Sequence, residues 1–112
     1  MKLLTKDEIK VPTLKELKID ANGVSGDIMQ TLGEGPITCG FFRLDSPGGF
    51  DYGYTFEEFK FVLEGEFTVT DSKGNKVIAK KGDILYFQNG DKVTFDTNSS
   101  GSAFYVSQRR KE

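Results

Sequence analysis

Hydrophobic and polar positions alternate along most of the chain in short segments, and clusters of glycine, proline, serine, asparagine and aspartate separate these segments. Alternation with a period of two is typical of half-buried strands, and the clusters are typical of tight turns. One such turn is predicted at Glu64-Gly65. The pattern predicts strands over residues 27–32, 37–44, 58–63, 66–71, 76–79, 84–87, 92–96 and 103–107. With no helical segments between them, these strands indicate an all-β sandwich or barrel.

The first 24 residues lack this alternation. Thr5 and Glu8 have the spacing of a helix capping box, but Pro12 prevents a helix from continuing far. We therefore predict an N-terminal arm over residues 1–24 with at most a short helical turn, and a single barrel domain over residues 25–112. The charged C-terminal residues 108–112 are expected to be a solvated end.

The charge balance disfavours nucleic acid and anionic membranes as partners. Seventeen acidic and 15 basic residues give a formal charge of -2, which supplies no field for gathering a polyanion. Residues 1–5 are followed by the charged Lys6, Asp7 and Glu8 instead of by the apolar segment of a signal peptide. No segment has the ~18 apolar residues of a membrane span. We expect a soluble, cytoplasmic protein.

The chain has no histidine and one cysteine, Cys39. This excludes Ser-His and Cys-His nucleophile pairs, histidine-held metals and an internal disulfide. We therefore expect neither a metal nor a cofactor, since a site built from one carboxylate and phenolates would hold a transition metal weakly. Without an imidazole to activate it, Cys39 is expected to be a small buried hydrophobic residue rather than a nucleophile.

Two glycine-bearing segments, residues 52–65 and 82–93, resemble the two motifs of the cupin superfamily, whose members are double-stranded β-helix (jelly-roll) barrels. Metal-binding cupins carry three histidines and a glutamate in these motifs. The corresponding residues here are Tyr52, Tyr54, Glu58 and Val93. Since the glycines and the glutamate are kept and the histidines are lost, the resemblance implies a jelly-roll barrel without a histidine-held metal.

The chain has aromatic residues in place of two of those histidines, and in this it is similar to the ethanolamine-utilisation cupins. Further shared features are an aromatic run at 50–54, Val-Leu-Glu-Gly at 62–65 and a closing Phe-Tyr-Val at 104–106. The resemblance implies a dimeric cupin linked to ethanolamine catabolism or its microcompartment, in a family to which acetate-kinase-like activity has been assigned. The chain has no glycine-rich phosphate loop, which counts against nucleotide-dependent kinase chemistry.

Glu58 and Lys60 stand two residues apart and therefore share one face of their strand. If Glu58 points into the barrel, Lys60 enters with it, and a buried carboxylate beside a buried ammonium is tolerable only as a pair. Tyr52 and Tyr54 bring two phenols to the same cavity, so the four residues form a candidate catalytic site for a small polar or carbonyl-bearing ligand. The alternatives are a β-bulge that turns Lys60 outward and tyrosines that serve only as core aromatics.

Arg43 and Tyr105 are further ligand-binding candidates. Arg43 is either an anion anchor in the pocket or an exposed arginine on an edge strand. Two functional hypotheses stay open: an enzyme acting through Glu58, and a non-catalytic cupin that senses a ligand or serves as an accessory subunit. Edge strands and an excess of phenylalanine also predict an isologous homodimer to which the arm contributes.

Overall fold

The structure is a computed structural model that describes residues 1–110, and these residues form eight strands. The strands are β1 (Asn22–Gln30), β2 (Ile37–Asp45), β3 (Phe50–Gly53), β4 (Glu58–Asp71), β5 (Lys76–Lys80), β6 (Ile84–Phe87), β7 (Lys92–Asp96) and β8 (Ser100–Gln108). All of their pairings are antiparallel, in the order β1-β2-β8-β4-β7-β3, and β5 and β6 pair with β4. The sheet curls on itself, which confirms the predicted all-β jelly-roll barrel.

Strand β4 connects the two halves of this barrel. Its first half pairs with β6 and β8, and its second half pairs with β5 and β7. The predicted turn at Glu64-Gly65 is wrong, because Gly65 bends the strand without reversing it. Gly65 has φ +69°, and a Cβ atom there would lie 2.0 Å from the carbonyl oxygen of Ser100. Only glycine fits this position, where the chain bends from one half of the barrel into the other.

The other strand boundaries show where pairing overrides local sequence. Strands β6 and β7 have the predicted bounds, whereas β8 begins at Ser100, inside a predicted turn. Strand β8 lies between β2 and β4, so backbone bonding on both sides compensates for the weak strand propensity of its first residues. The short strand β3 was not predicted, and β1 begins at Asn22, within the predicted arm.

The N-terminal arm packs on its own barrel. Lys6–Glu8 form a single 3-10 turn, the short helical turn expected from the sequence. Further along, the Ser25 amide donates to the Pro12 carbonyl oxygen at 3.0 Å, and the Leu14 amide donates to the Gly23 carbonyl oxygen at 2.9 Å. Leu14 is completely buried. The arm therefore runs beside β1 and supplies a core residue to the barrel.

The barrel core is aromatic. Phe42, Phe67 and Phe95 are buried, and the rings of Phe42 and Phe67 stack with centroids 5.2 Å apart. Cys39 lies on the opposite face of β2 and is only half-buried, since its neighbours Thr38 and Gly40 take the inward positions. Within residues 1–110, no helix has the length and apolar composition needed to cross a membrane.

Candidate functional site

A cavity of about 430 Å³ lies inside the barrel, beneath the N-terminal arm. Leu17 of the arm is 45% exposed and is the most exposed residue of the cavity wall, so the cavity opens to solvent on the side of the arm. The wall is largely aromatic and aliphatic. Its charged and phenolic residues are Asp27, Tyr52, Tyr54, Glu58, Lys60, Tyr105 and Arg109.

The alternation of β4 places Glu58 and Lys60 inside the barrel. They are 3% and 6% exposed, whereas the intervening Phe59 is 55% exposed on the outer face. The irregularity in β4 falls between Val62 and Glu64, beyond Lys60. The bulge that would have turned Lys60 outward is therefore in a different place, and the two charged residues enter the cavity together.

Glu58 accepts hydrogen bonds on both carboxylate oxygens. Oε2 accepts from Lys60 Nζ at 2.5 Å and from the Tyr54 hydroxyl at 2.7 Å. Oε1 accepts from the Ser107 hydroxyl at 2.8 Å. Lys60 Nζ also donates to the Tyr54 oxygen at 3.2 Å. A carboxylate, an ammonium and a phenol are thus in direct contact, with proton donors and acceptors at hydrogen-bond distance from one another.

The Lys60 ammonium lies among aromatic rings. Its Nζ atom is 4.9 to 5.8 Å from the ring centroids of Phe42, Tyr54, Phe87, Phe95 and Tyr105. The ring faces attract a cation, but they replace little of its lost hydration. Burial therefore lowers the pKa of Lys60, and the neighbouring Glu58 carboxylate acts in the opposite direction.

Both predicted tyrosines line the cavity. Their ring centroids are 4.7 Å apart in an edge-to-face arrangement, and Tyr54 also stacks on Phe87 at 4.6 Å. Burial raises the pKa of Tyr54, and the adjacent Glu58 carboxylate raises it further. Tyr54 is therefore protonated at neutral pH and can donate a hydrogen bond. Its ring packs in the aromatic core, and its hydroxyl group bonds to Glu58. Tyr52 is half-buried in the cavity wall.

A second polar cluster joins the same cavity. Arg109 donates to both oxygens of Asp27, each at 2.8 Å, and the Tyr105 hydroxyl donates to Asp27 Oδ1 at 2.7 Å. Burial, followed by the bond to Asp27, raises the pKa of Tyr105. Gly40 makes room for this tyrosine, because a Cβ atom at Gly40 would lie 2.2 Å from the Tyr105 ring and hydroxyl. Tyr105, a ligand-binding candidate from the sequence, lines the cavity.

Arg109 corrects the expectation of a solvated C-terminal end. Its side chain is 14% exposed and ion-paired to Asp27, and its guanidinium carbon is 4.6 Å from the Phe56 ring centroid. The signal for this placement was the period of two, since Tyr105, Ser107 and Arg109 follow one another on the inner face. Residues 111–112 lie outside the described part of the chain.

Arg43 does not line the cavity, and this corrects its prediction as a pocket anchor. It lies on the outer face of β2, where Nε donates to Asp45 Oδ1 at 3.0 Å. The alternation of β2 turns Phe42 and Leu44 inward and Arg43 outward. Arg43 is the exposed arginine of the alternative interpretation, although β2 is flanked by β1 and β8 and is not an edge strand.

The residues at the cupin metal position do not fit a transition-metal ion. Val93, in place of the second-motif histidine, is aliphatic and pairs with Tyr52 across β3 and β7. The Lys60 ammonium is the cation beside the Glu58 carboxylate. Among the described residues, no group of three or more His, Cys, Asp or Glu side chains could hold a metal ion.

A curled antiparallel jelly roll whose largely apolar cavity holds charged and phenolic groups, together with the glycine motifs of residues 52–65 and 82–93, defines the protein as a cupin. A sequence profile of the EutQ-like cupin domain matches residues 34–103, well over half of the chain. The chain therefore belongs to the EutQ-like cupin family.

Two proteins similar to this chain carry the EutQ name. It is 36% identical over 70 residues to the acetate kinase EutQ of Escherichia coli K12, covering 62% of this chain but 29% of that protein. It is 27% identical over 106 residues to the acetate kinase EutQ of Clostridioides difficile 630, covering 88% of this chain and 66% of that protein. The chain thus spans less than two thirds of either relative.

Among solved structures, one described as ethanolamine utilization protein Q from Salmonella typhimurium LT2 superposes with a TM-score of 0.81. The two sequences are 25% identical, and the match covers 96% of this chain and 85% of that chain. The similarity therefore extends beyond the barrel motifs to nearly the whole described fold.

Proposed function

We propose that this EutQ-like cupin binds a small polar organic molecule in its barrel cavity and serves ethanolamine-type small-molecule metabolism in the cytoplasm. The observation that carries the proposal is the cavity of about 430 Å³, which holds two carboxylate–cation pairs, the buried Glu58–Lys60 pair and the part-buried Asp27–Arg109 pair. Their formal charges cancel, so the cavity favours a neutral or zwitterionic ligand. Apolar walls with a few oriented polar groups are typical of small-molecule sites.

The catalytic form of this proposal assigns acid–base chemistry to Glu58, Tyr54 and Lys60. These groups contact one another, and a proton could move from ammonium or phenol to carboxylate over a single hydrogen bond. Tyr52 and Tyr105 would then orient the ligand. The non-catalytic alternative, a sensor or accessory subunit, is supported by the completeness of the Glu58 hydrogen bonding, which is also typical of a structural network.

A thermal-shift screen of small polar metabolites tests cavity binding. A ligand at 100 times its dissociation constant should stabilise the protein by ~2.7 kcal/mol. We expect Tyr52→Ala to reduce the shift given by each hit. Arg43→Gln is the matched control, since Arg43 is on the outer face, and it should leave the shift unchanged. Hits that respond equally to both substitutions, or no hits at all, would contradict the proposal.

The cavity does not favour phosphoryl transfer, the chemistry of the acetate kinase activity named for the curated relatives. Both cations of the cavity are ion-paired to carboxylates, Lys60 to Glu58 and Arg109 to Asp27. Phosphate groups bind to cations and hydrogen-bond donors, and the cations here already bond to carboxylates. The chain also covers only part of those relatives.

We propose that the protein acts as a metal-free homodimer through an outer apolar face of the barrel. In this face Phe61 stands opposite both Phe104 and Ile84, and Phe59 stands opposite both Val106 and Tyr86. The rings of Phe59 and Tyr86 stack at 5.0 Å, and both side chains are about half exposed. The full set, all uncharged, is Cys39, Phe41, Phe59, Phe61, Ile84, Tyr86, Phe104 and Val106.

A second copy of this chain is the occupant that suits the apolar face. The side chains of this face run across four neighbouring strands without a charged residue. A partner must therefore be apolar over the same area, and the same face of a second copy is apolar over that area. Closed two-fold dimers bury one such patch against its own copy.

A further inference from the structure

We propose that Lys60 forms a reversible imine with a small aldehyde or ketone bound in the cavity. The inference rests on the proposed function, because it assigns a ligand class to the same cavity. It also gives Lys60 a covalent role that an ion-pair partner alone would not have.

Lys60 differs from every other lysine in the described part of the chain. It is buried and lines the cavity, whereas the remaining lysines of residues 1–110 are exposed. An amine attacks a carbonyl carbon only with its lone pair free, and desolvation among apolar groups is one way by which proteins increase the neutral fraction of a lysine. Five aromatic rings around Nζ provide that environment, and burial lowers the pKa of Lys60 accordingly.

Glu58 is positioned to carry the protons that imine formation requires. Its Oε2 first accepts a proton from the Lys60 ammonium, which leaves a neutral amine and a neutral carboxylic acid. The amine lone pair then forms the C–N bond, and a proton moves from nitrogen to the former carbonyl oxygen to give a carbinolamine. Glu58 returns its proton to this hydroxyl, water leaves, and the nitrogen lone pair forms the C=N bond. The products are a protonated imine, a Glu58 carboxylate and one water molecule.

Tyr54 is the second group near the reacting atoms. Its hydroxyl oxygen is 3.2 Å from Lys60 Nζ, which is close enough for it to donate to the oxygen of the carbinolamine. The raised pKa of Tyr54 keeps that proton available at neutral pH. The electrically balanced cavity also suits an uncharged carbonyl compound, because the protonated imine formed there keeps the single positive charge that Lys60 carries in its ion pair with Glu58.

Reductive trapping tests the proposal. The folded protein is incubated at pH 7 with propionaldehyde and sodium cyanoborohydride, and the sites of alkylation are followed over time by peptide mass mapping. We expect Lys60 to be alkylated at least about ten-fold faster than the exposed Lys81, because desolvation leaves a larger fraction of the Lys60 amine neutral. Lys60→Arg should keep the charge and remove the fast adduct, while Lys81→Arg should leave Lys60 labelling unchanged.

The possible failures are distinguishable. If Lys60 is labelled no faster than Lys81 while propionaldehyde or other ligands still give thermal shifts that depend on Tyr52, the imine is overturned and the binding cavity stands. If neither adduct nor cavity-dependent shift is found, both proposals fail. The wild-type peptide map decides the matter by itself if Lys60→Arg does not fold.

Discussion

Glu58 and Lys60 are each acceptable inside the barrel because the other is present. Removing one partner of a buried pair leaves an uncompensated charge, so we expect Glu58→Gln and Lys60→Met each to lower the free energy of unfolding by ~3–5 kcal/mol. The control is Glu64→Gln, which removes the exposed Lys81–Glu64 pair with its 3.2 Å separation. That change should cost ~0–1 kcal/mol. Denaturant midpoints measure all three, and losses below about 1 kcal/mol at both buried positions would refute the pairing argument.

Tyr54 and Tyr105 make stability depend on alkaline pH. Because their pKa values are raised in the fold, the folded chain keeps two phenolic protons that the unfolded chain loses above about pH 10. The unfolded state then binds fewer protons, so stability falls with pH, by up to ~2.7 kcal/mol per pH unit for two groups. The lowered pKa of Lys60 has the opposite effect on stability, because the folded chain loses this proton before the unfolded chain does. The contribution of Lys60 to the free energy of unfolding therefore rises with pH, but only up to about pH 10.4, where the unfolded lysine also loses its proton.

Denaturant unfolding between about pH 10.5 and 11.5, above the pKa values of tyrosine and lysine in the unfolded chain, measures this dependence. Tyr105→Phe should reduce the loss of stability per pH unit by about half, since one of the two phenols is gone. An unchanged slope in that variant would show that the buried phenols do not cause the alkaline loss.

At the scale of elements, strands β2, β4, β6 and β8 together build the apolar outer face, and its assembly role is testable. Phe61→Glu places a charge at the centre of the face, where the side chain is 42% exposed, and should convert a dimer into a monomer by light scattering. Val77→Glu is the matched control, because Val77 is 50% exposed on β5, outside the face. This interface would be ruled out if the wild-type protein had a mass of 12.5 kDa at micromolar concentration. It would also be ruled out if the Phe61→Glu variant were still a dimer.

For the whole molecule, the absence of histidine from the sequence determines which metals the barrel can hold. One carboxylate already bonded to Lys60, Tyr54 and Ser107 is a poor ligand set for a transition metal. We therefore expect elemental analysis of protein purified without chelator to find no stoichiometric zinc, iron, manganese or nickel. About one such metal per chain would overturn this prediction.

The sequence by itself determined those properties that depend on near neighbours. A period of two is built into every strand, so the spacing of Glu58 and Lys60 was enough to put them on one face. The glycine and aromatic pattern likewise predicted the all-β barrel, and the bounds of β6 and β7 followed from the turns beside them. The lack of histidine limited the chemistry of the site before any fold was known.

Tertiary structure decided the properties that depend on distant residues. Gly65 bends β4 because the backbone of Ser100 lies against it, and local sequence could not distinguish that bend from a turn. Arg109 and Asp27 are 82 positions apart and meet only when β1 and β8 come together on the two sides of β2. The aromatic surroundings of Lys60 are likewise collected from several strands. Strand alternation is a local consequence of backbone geometry, whereas pairing and register are set by packing between segments far apart in the chain.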